Sequence, residues 1–339
     1  MENAFAHVDY VGSNGDGPLI LDYLTQHPKQ LILIIVLGSL FSLLGVGVHV
    51  VCKRSKDISE AGRTLKSYKP YLPWMLRLSL GLPLIGAGFS GYIFTPIVTE
   101  SARLIQVGIG FGLLFGLGTR LVALSGLLLY IQSLAVHGNP MLLANEYVVG
   151  FISIIVLGAG QPSADGLIRR LRVTKGTLVN DYLGSKPSVQ DILGLNKVRN
   201  ENIGTILRLG MGFNFLYLGL TQKLMDTGTA LTVVSRYNLD VLFHLEPMLI
   251  VIGAGITEIA IGMLLILGIG TRGVATAGFI ILTSTLFGLP KDPVLAHITL
   301  FGMTSALMVT GAGSHSLHER FDSSVIRIGR SVESVFLDS

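Results

Sequence analysis

The chain has 339 residues, of which half are hydrophobic and only 14% charged, against about 25% charged in a soluble domain. That balance excludes a soluble globular enzyme and a disordered chain, and the net charge of +4 carries no nucleic-acid signature. A single cysteine, Cys52, excludes an intramolecular disulfide and a CxxC redox pair.

In chain order, residues 1–29 form a polar, slightly acidic tail with Glu2, Asp9, Asp16 and Asp22. No basic start with an early apolar core is visible, so no secretory signal is expected. Residues 30–52 are the first apolar run, long enough to cross a bilayer. Cys52 at its end reads as an inert thiol. A basic linker follows over 53–73. Apolar segments then recur at 74–92, 103–117, 120–136 and 147–160, and again at 205–222, 249–269, 273–289 and 296–311. Together with 30–52 they predict an all-α polytopic membrane protein of nine transmembrane helices. The loop between the two sets, 167–204, is basic, with Arg169, Arg170, Arg172, Lys175, Lys186, Lys197 and Arg199. Basic loops face the cytoplasm, which places the N-terminus outside and the tail 321–339 inside; the expected location is a prokaryotic cell membrane.

The two sets of four segments resemble each other. RLSLGLPLIGAG from Arg77 parallels RLGMGFNFLYLG from Arg208, an offset of 131 residues. GLGTR ending at Arg120 parallels GIGTR ending at Arg272, and LANEYVVG from Leu143 parallels LAHITLFG from Leu295, both at an offset of 152. The jump between offsets locates an insertion in the second copy, before Leu249. The expected organisation is a first four-helix repeat over 74–166 and a second over 205–320, running in the same direction.

The second copy contains R-x3-G-x6-G-x3-K at Arg208, Gly212, Gly219 and Lys223. It continues with E-x3-G at Glu258 and Gly262, a turn at Gly268, Thr271 and Arg272, and a closing Gly311, Gly313, Ser316 and Leu317. These residues resemble the DoxX/DoxD family of small four-helix membrane proteins. The resemblance implies a four-helix membrane bundle. It also implies, through the DoxD branch, a link to thiosulfate:quinone oxidoreductase and quinol oxidase complexes. DoxD is usually accompanied by a different second subunit, whereas two similar copies are fused in this chain.

Glu258 stands out, because an acid near the bilayer midplane is costly and is normally paired, protonated or functional. Its counterpart in the first copy is Gln106, that of Lys223 is Tyr92, that of Asn214 is Pro83 and that of His297 is Asn145. Only Arg208 keeps a charged counterpart, Arg77. The first copy therefore reads as degenerate and the second as the candidate site. Glu258 is the candidate proton acceptor for a quinone head group. Asn214, Lys223, Arg208 and His297 are the candidate polar contacts of that quinone. Depth along the helices places Glu258 and Asn214 near the midplane, with Lys223 snorkelling toward the interface. The alternatives are structural. Glu258 can serve as a hydrogen-bonding strut between helices, and Arg208 as a headgroup anchor.

No haem, metal or nucleotide is expected: no His pair lies at i, i+4 on a span, and no phosphate loop is present. The first reading is thus a membrane subunit of a quinone-linked redox complex. Its electrons come from a partner subunit at the membrane or its outer face, and a homo-oligomer is compatible with it. A non-catalytic scaffold or assembly subunit is the second reading and a small-molecule transporter the third.

Overall fold

The computed structural model describes residues 17–36, 38, 55–184, 186–187, 202–288, 294–314 and 316. Among these residues the protein is all-helical. The elements in chain order are α1 (Ile20–Gln26), α2 (Lys56–Ser67), α3 (Leu72–Ser90), α4 (Arg103–Phe115), α5 (Thr119–His137), α6 (Glu146–Leu157), α7 (Ala164–Val173), α8 (Leu178–Leu183), α9 (Ile203–Gly219), α10 (Thr227–Arg236), α11 (Leu239–Phe243), α12 (Pro247–Leu267), α13 (Thr271–Gly288) and α14 (Val294–Thr310). Each apolar segment expected from residue 74 onward coincides with one of these helices. The first expected span is helical over 28–36, and the rest of it lies outside the described residues, as do Cys52 and the C-terminal tail.

Among the described residues, four stretches are long and apolar enough to cross a membrane: Lys56–Ser90, Thr119–His137, Ile203–Met225 and Pro247–Leu267. Shorter apolar helices cover Arg103–Phe115, Glu146–Leu157 and His297–Thr310. The perimeter is apolar, with Phe89, Leu104, Leu128, Phe213 and Ile280 exposed. The interior holds Arg77, Gln106, Glu146, Arg208 and Asn214. This inversion suits a lipid surround, where outward side chains need no polarity and polar groups are retained only inside the bundle.

Helices α3, α6, α9 and α14 form the centre: α14 packs on α3 and α6 packs on α9. The pairs α3–α4 and α9–α12 are the closest. Their closeness depends on glycine. A Cβ on Gly81 would sit 2.9 Å from the Gly110 carbonyl, and one on Gly212 would sit 2.8 Å from the Gly262 carbonyl. Small residues facing each other let helix backbones meet without a hydrophobic drive.

One end of the bundle is basic. It holds α2, with Lys56, Arg63 and Lys66, and the α7–α8 hairpin, with Arg169, Arg170, Arg172 and Lys175. Ser163 and Thr177 cap the two helices of that hairpin by accepting from the backbone N–H of Gly166 and Asn180. Asp165 accepts from the backbone N–H groups of Gly118 and Thr119 at 2.7 and 2.9 Å, closing the start of α5. The far end holds α10, α11 and the N-terminal segment. There the Thr227 hydroxyl donates to Pro18 O at 2.7 Å, and the Tyr23 hydroxyl donates to Glu246 Oε1 at 2.6 Å.

Candidate functional site

Glu258 lies on α12, a helix opened by Pro247 and closed by Gly268 at φ +72. Eleven residues from its start correspond to about 16 Å, near mid-depth of a core about 30 Å thick. Helix α9 packs against it and does not stop at Gly219. It widens into a π-helical turn over Leu220–Met225, which carries Lys223. The extra residue in that turn changes which way the side chains point, and Lys223 Nζ donates to Glu258 Oε2 at 2.7 Å. Snorkelling to the interface was the expectation for Lys223; the side chain instead turns in to Glu258, one turn beyond Gly219 on the face of α9 that meets α12. Gly219 makes room for the pair, since a Cβ there would lie 3.1 Å from Glu258 Cβ. The two side chains are 19% and 17% exposed, so the pair is not sealed.

Asn214 belongs to a different face of α9. Gly212 and Gly219 face α12, while Gly210 and Asn214 face α6, where Gly210 meets Val149. Asn214 is fully buried and donates through Nδ2 to Glu146 Oε2 at 3.0 Å and to Asn145 Oδ1 at 3.2 Å. Glu258 and Asn214, expected to share one midplane pocket, sit in two. His297 is buried on α14 beside the Phe301 ring, on a helix that packs chiefly on α3 and α13.

Arg208 works at the basic end. Its Nε donates to Ala312 O at 2.9 Å and its Nη1 to the Leu265 and Ile266 carbonyls, the last turn of α12. A guanidinium there closes the unsatisfied carbonyls and meets the negative end of the helix dipole. Arg77 donates to Ala159 O and Pro162 O, in the turn that follows α6, at 2.6 and 2.7 Å. Arg120 donates to Val156 O and Arg272 to Met308 O, each closing a helix of its own half. Of the five candidate residues, the structure therefore joins Lys223 and Glu258. It puts Asn214 with two residues that the sequence did not single out for a site, Asn145 and Glu146, and assigns Arg208 to the helix ends.

Glu146 is 2% exposed, the most deeply buried acid among the described residues. One signal in the sequence marks it: in the parallel stretches LANEYVVG and LAHITLFG it stands opposite Ile298. An acid where the partner copy has isoleucine is an expense without an obvious structural reason. In the first half, Gln106 fills the position matching Glu258. It is bound on both sides by backbone, donating to Leu84 O at 2.9 Å and accepting from Phe94 N at 2.7 Å.

Apolar spans packed through glycine, arginines closing the helix ends, and polar pairs held inside the bundle define a multi-pass helical membrane protein. It is DoxX-like: residues 204–290 match the family model described as DoxX. The matched stretch contains Arg208, Asn214, Lys223 and Glu258. No curated protein and no solved structure matches the chain.

Proposed function

We propose that the protein is a DoxX/DoxD-like subunit of a quinone-linked redox complex, built from a duplicated four-helix unit and oriented with its basic end in the cytoplasm. The observation that carries this reading is the Lys223–Glu258 pair, at 2.7 Å in a π turn and still about one-fifth exposed on each side chain. A quinone takes up two electrons and two protons on reduction. An ammonium and a carboxylate side by side at bilayer depth offer it a hydrogen-bond donor, an acceptor and an exchangeable proton. Distortions to π geometry recur at functional sites. Electrons reach the quinone from a partner subunit.

Duplication draws support from geometry at matched positions. Gly116 and Gly268 have φ +67 and +72, and Gly118 and Gly270 have +56 and +58. Arg77 and Arg208 bond to Ala159 and Ala312, and Arg120 and Arg272 bond to Val156 and Met308. Only the second half pairs Lys with Glu; the first has Tyr92 and Gln106 there. On this reading the first half is scaffold.

A non-catalytic scaffold is the second reading, and the buried arginine–carbonyl bonds favour it, because they serve shape alone. Quinone content separates the two. The full chain is purified with native lipid, and bound quinone is extracted and measured in wild type and in Glu258→Gln. The redox reading expects quinone in wild type and its loss in the variant. Quinone kept equally by Glu258→Gln removes Glu258 as a contact, and stoichiometric partner subunits without quinone favour the scaffold.

A further inference from the structure

A second acid in the bundle is not used by that reading. Helix α6 has 12 residues, about 18 Å of a core about 30 Å thick. The chain reaches it through a 3-10 stretch, Asn139–Ala144, that goes from an exposed Asn139 to buried Met141, Leu143 and Ala144, the first two 0% and 2% exposed. Irregular backbone at membrane depth is tolerated where protein buries it or where it lines a polar site. Glu146 opens α6 at that depth, beside Asn214, which is 11 residues or about 16 Å along α9.

The surroundings of Glu146 are specific. No lysine, arginine or histidine pairs with it among the described residues. The titratable groups that face it are the hydroxyls of Tyr130 from α5 and Tyr147 from α6, and Tyr217 of α9 lies beyond Tyr130. The Tyr130 hydroxyl is committed to Met141 O at 2.6 Å. Asn214 turns its amide NH2 toward the carboxyl, while its Oδ1 accepts no hydrogen bond among the described residues. A carboxylate taken from water without a counter-ion persists only with a proton or a bound cation. The NH2 of Asn214 would repel a metal ion in that place, and a proton is compatible with it.

We propose that Glu146, clamped by Asn214 at the start of α6, is a proton-binding site separate from the Lys223–Glu258 pair. In the acid form one carboxyl oxygen holds the proton and Oε2 accepts from Asn214. In the released form the carboxylate keeps that bond and gains the first-turn N–H groups of α6, where the helix dipole favours negative charge. Both forms have partners, as an exchange site requires. The free Oδ1 of Asn214 is the acceptor that receives the incoming proton donor. Proton binding at Glu146 does not depend on quinone binding.

The test uses the full chain in lipid vesicles and the lipid-soluble reagent dicyclohexylcarbodiimide. A neutral carboxyl gives its proton to a nitrogen of the reagent while its oxygen bonds to the central carbon, and the adduct rearranges to a stable acylurea. Peptide mass spectrometry is expected to find the adduct on Glu146, falling about tenfold per pH unit above the midpoint, and absent in Glu146→Gln. Infrared difference spectra of the same vesicles decide where the reagent fails to reach. The carbonyl band of a neutral carboxyl is expected in wild type and lost in Glu146→Gln. If Glu146→Gln does not assemble, Asn214→Ala must move that band, since the carboxyl stays and one hydrogen bond goes. A wild type without the band, or a band that neither variant alters, overturns the proposal.

Discussion

Lys223 Nζ stands 2.7 Å from Glu258 Oε2, joining α9 to α12 inside the bundle. Two charges this far into a membrane protein are tolerable only together. Removing one strands the other and costs about 3 kcal/mol, whereas removing both costs much less. Lys223→Met and Glu258→Gln are therefore each expected to lower thermal stability in one detergent. The double variant recovers most of the loss. A double variant as unstable as the sum of the singles would show that the two side chains act independently.

Arg208 is expected to be structural. Its bonds to Ala312, Leu265 and Ile266 are charge-assisted, and losing them in Arg208→Met is expected to cost about 3 kcal/mol. Arg208→Lys does not restore it, because a point charge cannot hold carbonyls in two directions. Quinone content per folded molecule is expected to stay unchanged in both variants. A selective fall in quinone content, with stability intact, would move Arg208 into the site.

Legibility in the sequence depends on which signals are local. Apolar runs located α3 to α6, α9 and α12 to α14 to within a few residues, because a span is fixed by its own length and composition; the short helices α7, α8, α10 and α11 lie between those runs. Glu258 was visible because it interrupts such a run. Its partner was misplaced because depth along a helix does not say that a lysine side chain turns inward to an acid on the facing helix. Asn214 was placed at the right depth and on the wrong side, since facing depends on which neighbour packs there. Glu146 was passed over because it stands at the edge of its run, where an acid reads as a loop residue. Only the 3-10 descent through Met141 and Leu143 carries that edge into the protein interior.

Glycine substitutions separate contact from composition. Gly212→Ala places a methyl 2.8 Å from the Gly262 carbonyl and 2.7 Å from Ile266 Cγ1. The carbonyl belongs to backbone and cannot turn away, so α9 and α12 must part, at about 2 kcal/mol. Gly253→Ala, on the facing helix α12, meets nothing within 4 Å. It is expected to be neutral or to stabilise by up to about 1 kcal/mol through helix propensity. Thermal unfolding of the two variants side by side checks the contrast, and equal losses would refute the close crossing at Gly212.

The N-terminal segment is expected to let go at both extremes of pH. Glu246 holds it by accepting from the Tyr23 hydroxyl at 2.6 Å and from Gln30 Nε2 at 3.0 Å. Those bonds favour the carboxylate, the Tyr23 bond first and the Gln30 bond next, and keep Glu246 below its ordinary value of 4.5. A lowered acid contributes stability above its unfolded pKa, and the contribution disappears as pH falls through the folded one. Tyr23 is pushed from 10.0 up to about 12, first by burial and then by its bond to Glu246 and by that charge. Its contribution is complete below its unfolded value and is lost as pH rises toward 12. The clasp is therefore full between roughly pH 5 and 9 and weakens outside that window. Hydrogen exchange or limited proteolysis of residues 17–36 across the pH range is the measurement. Tyr23→Phe is expected to open the segment at neutral pH and to converge with wild type at the acid and alkaline ends. Release that depends on pH equally in wild type and in Tyr23→Phe would assign the sensitivity to other groups.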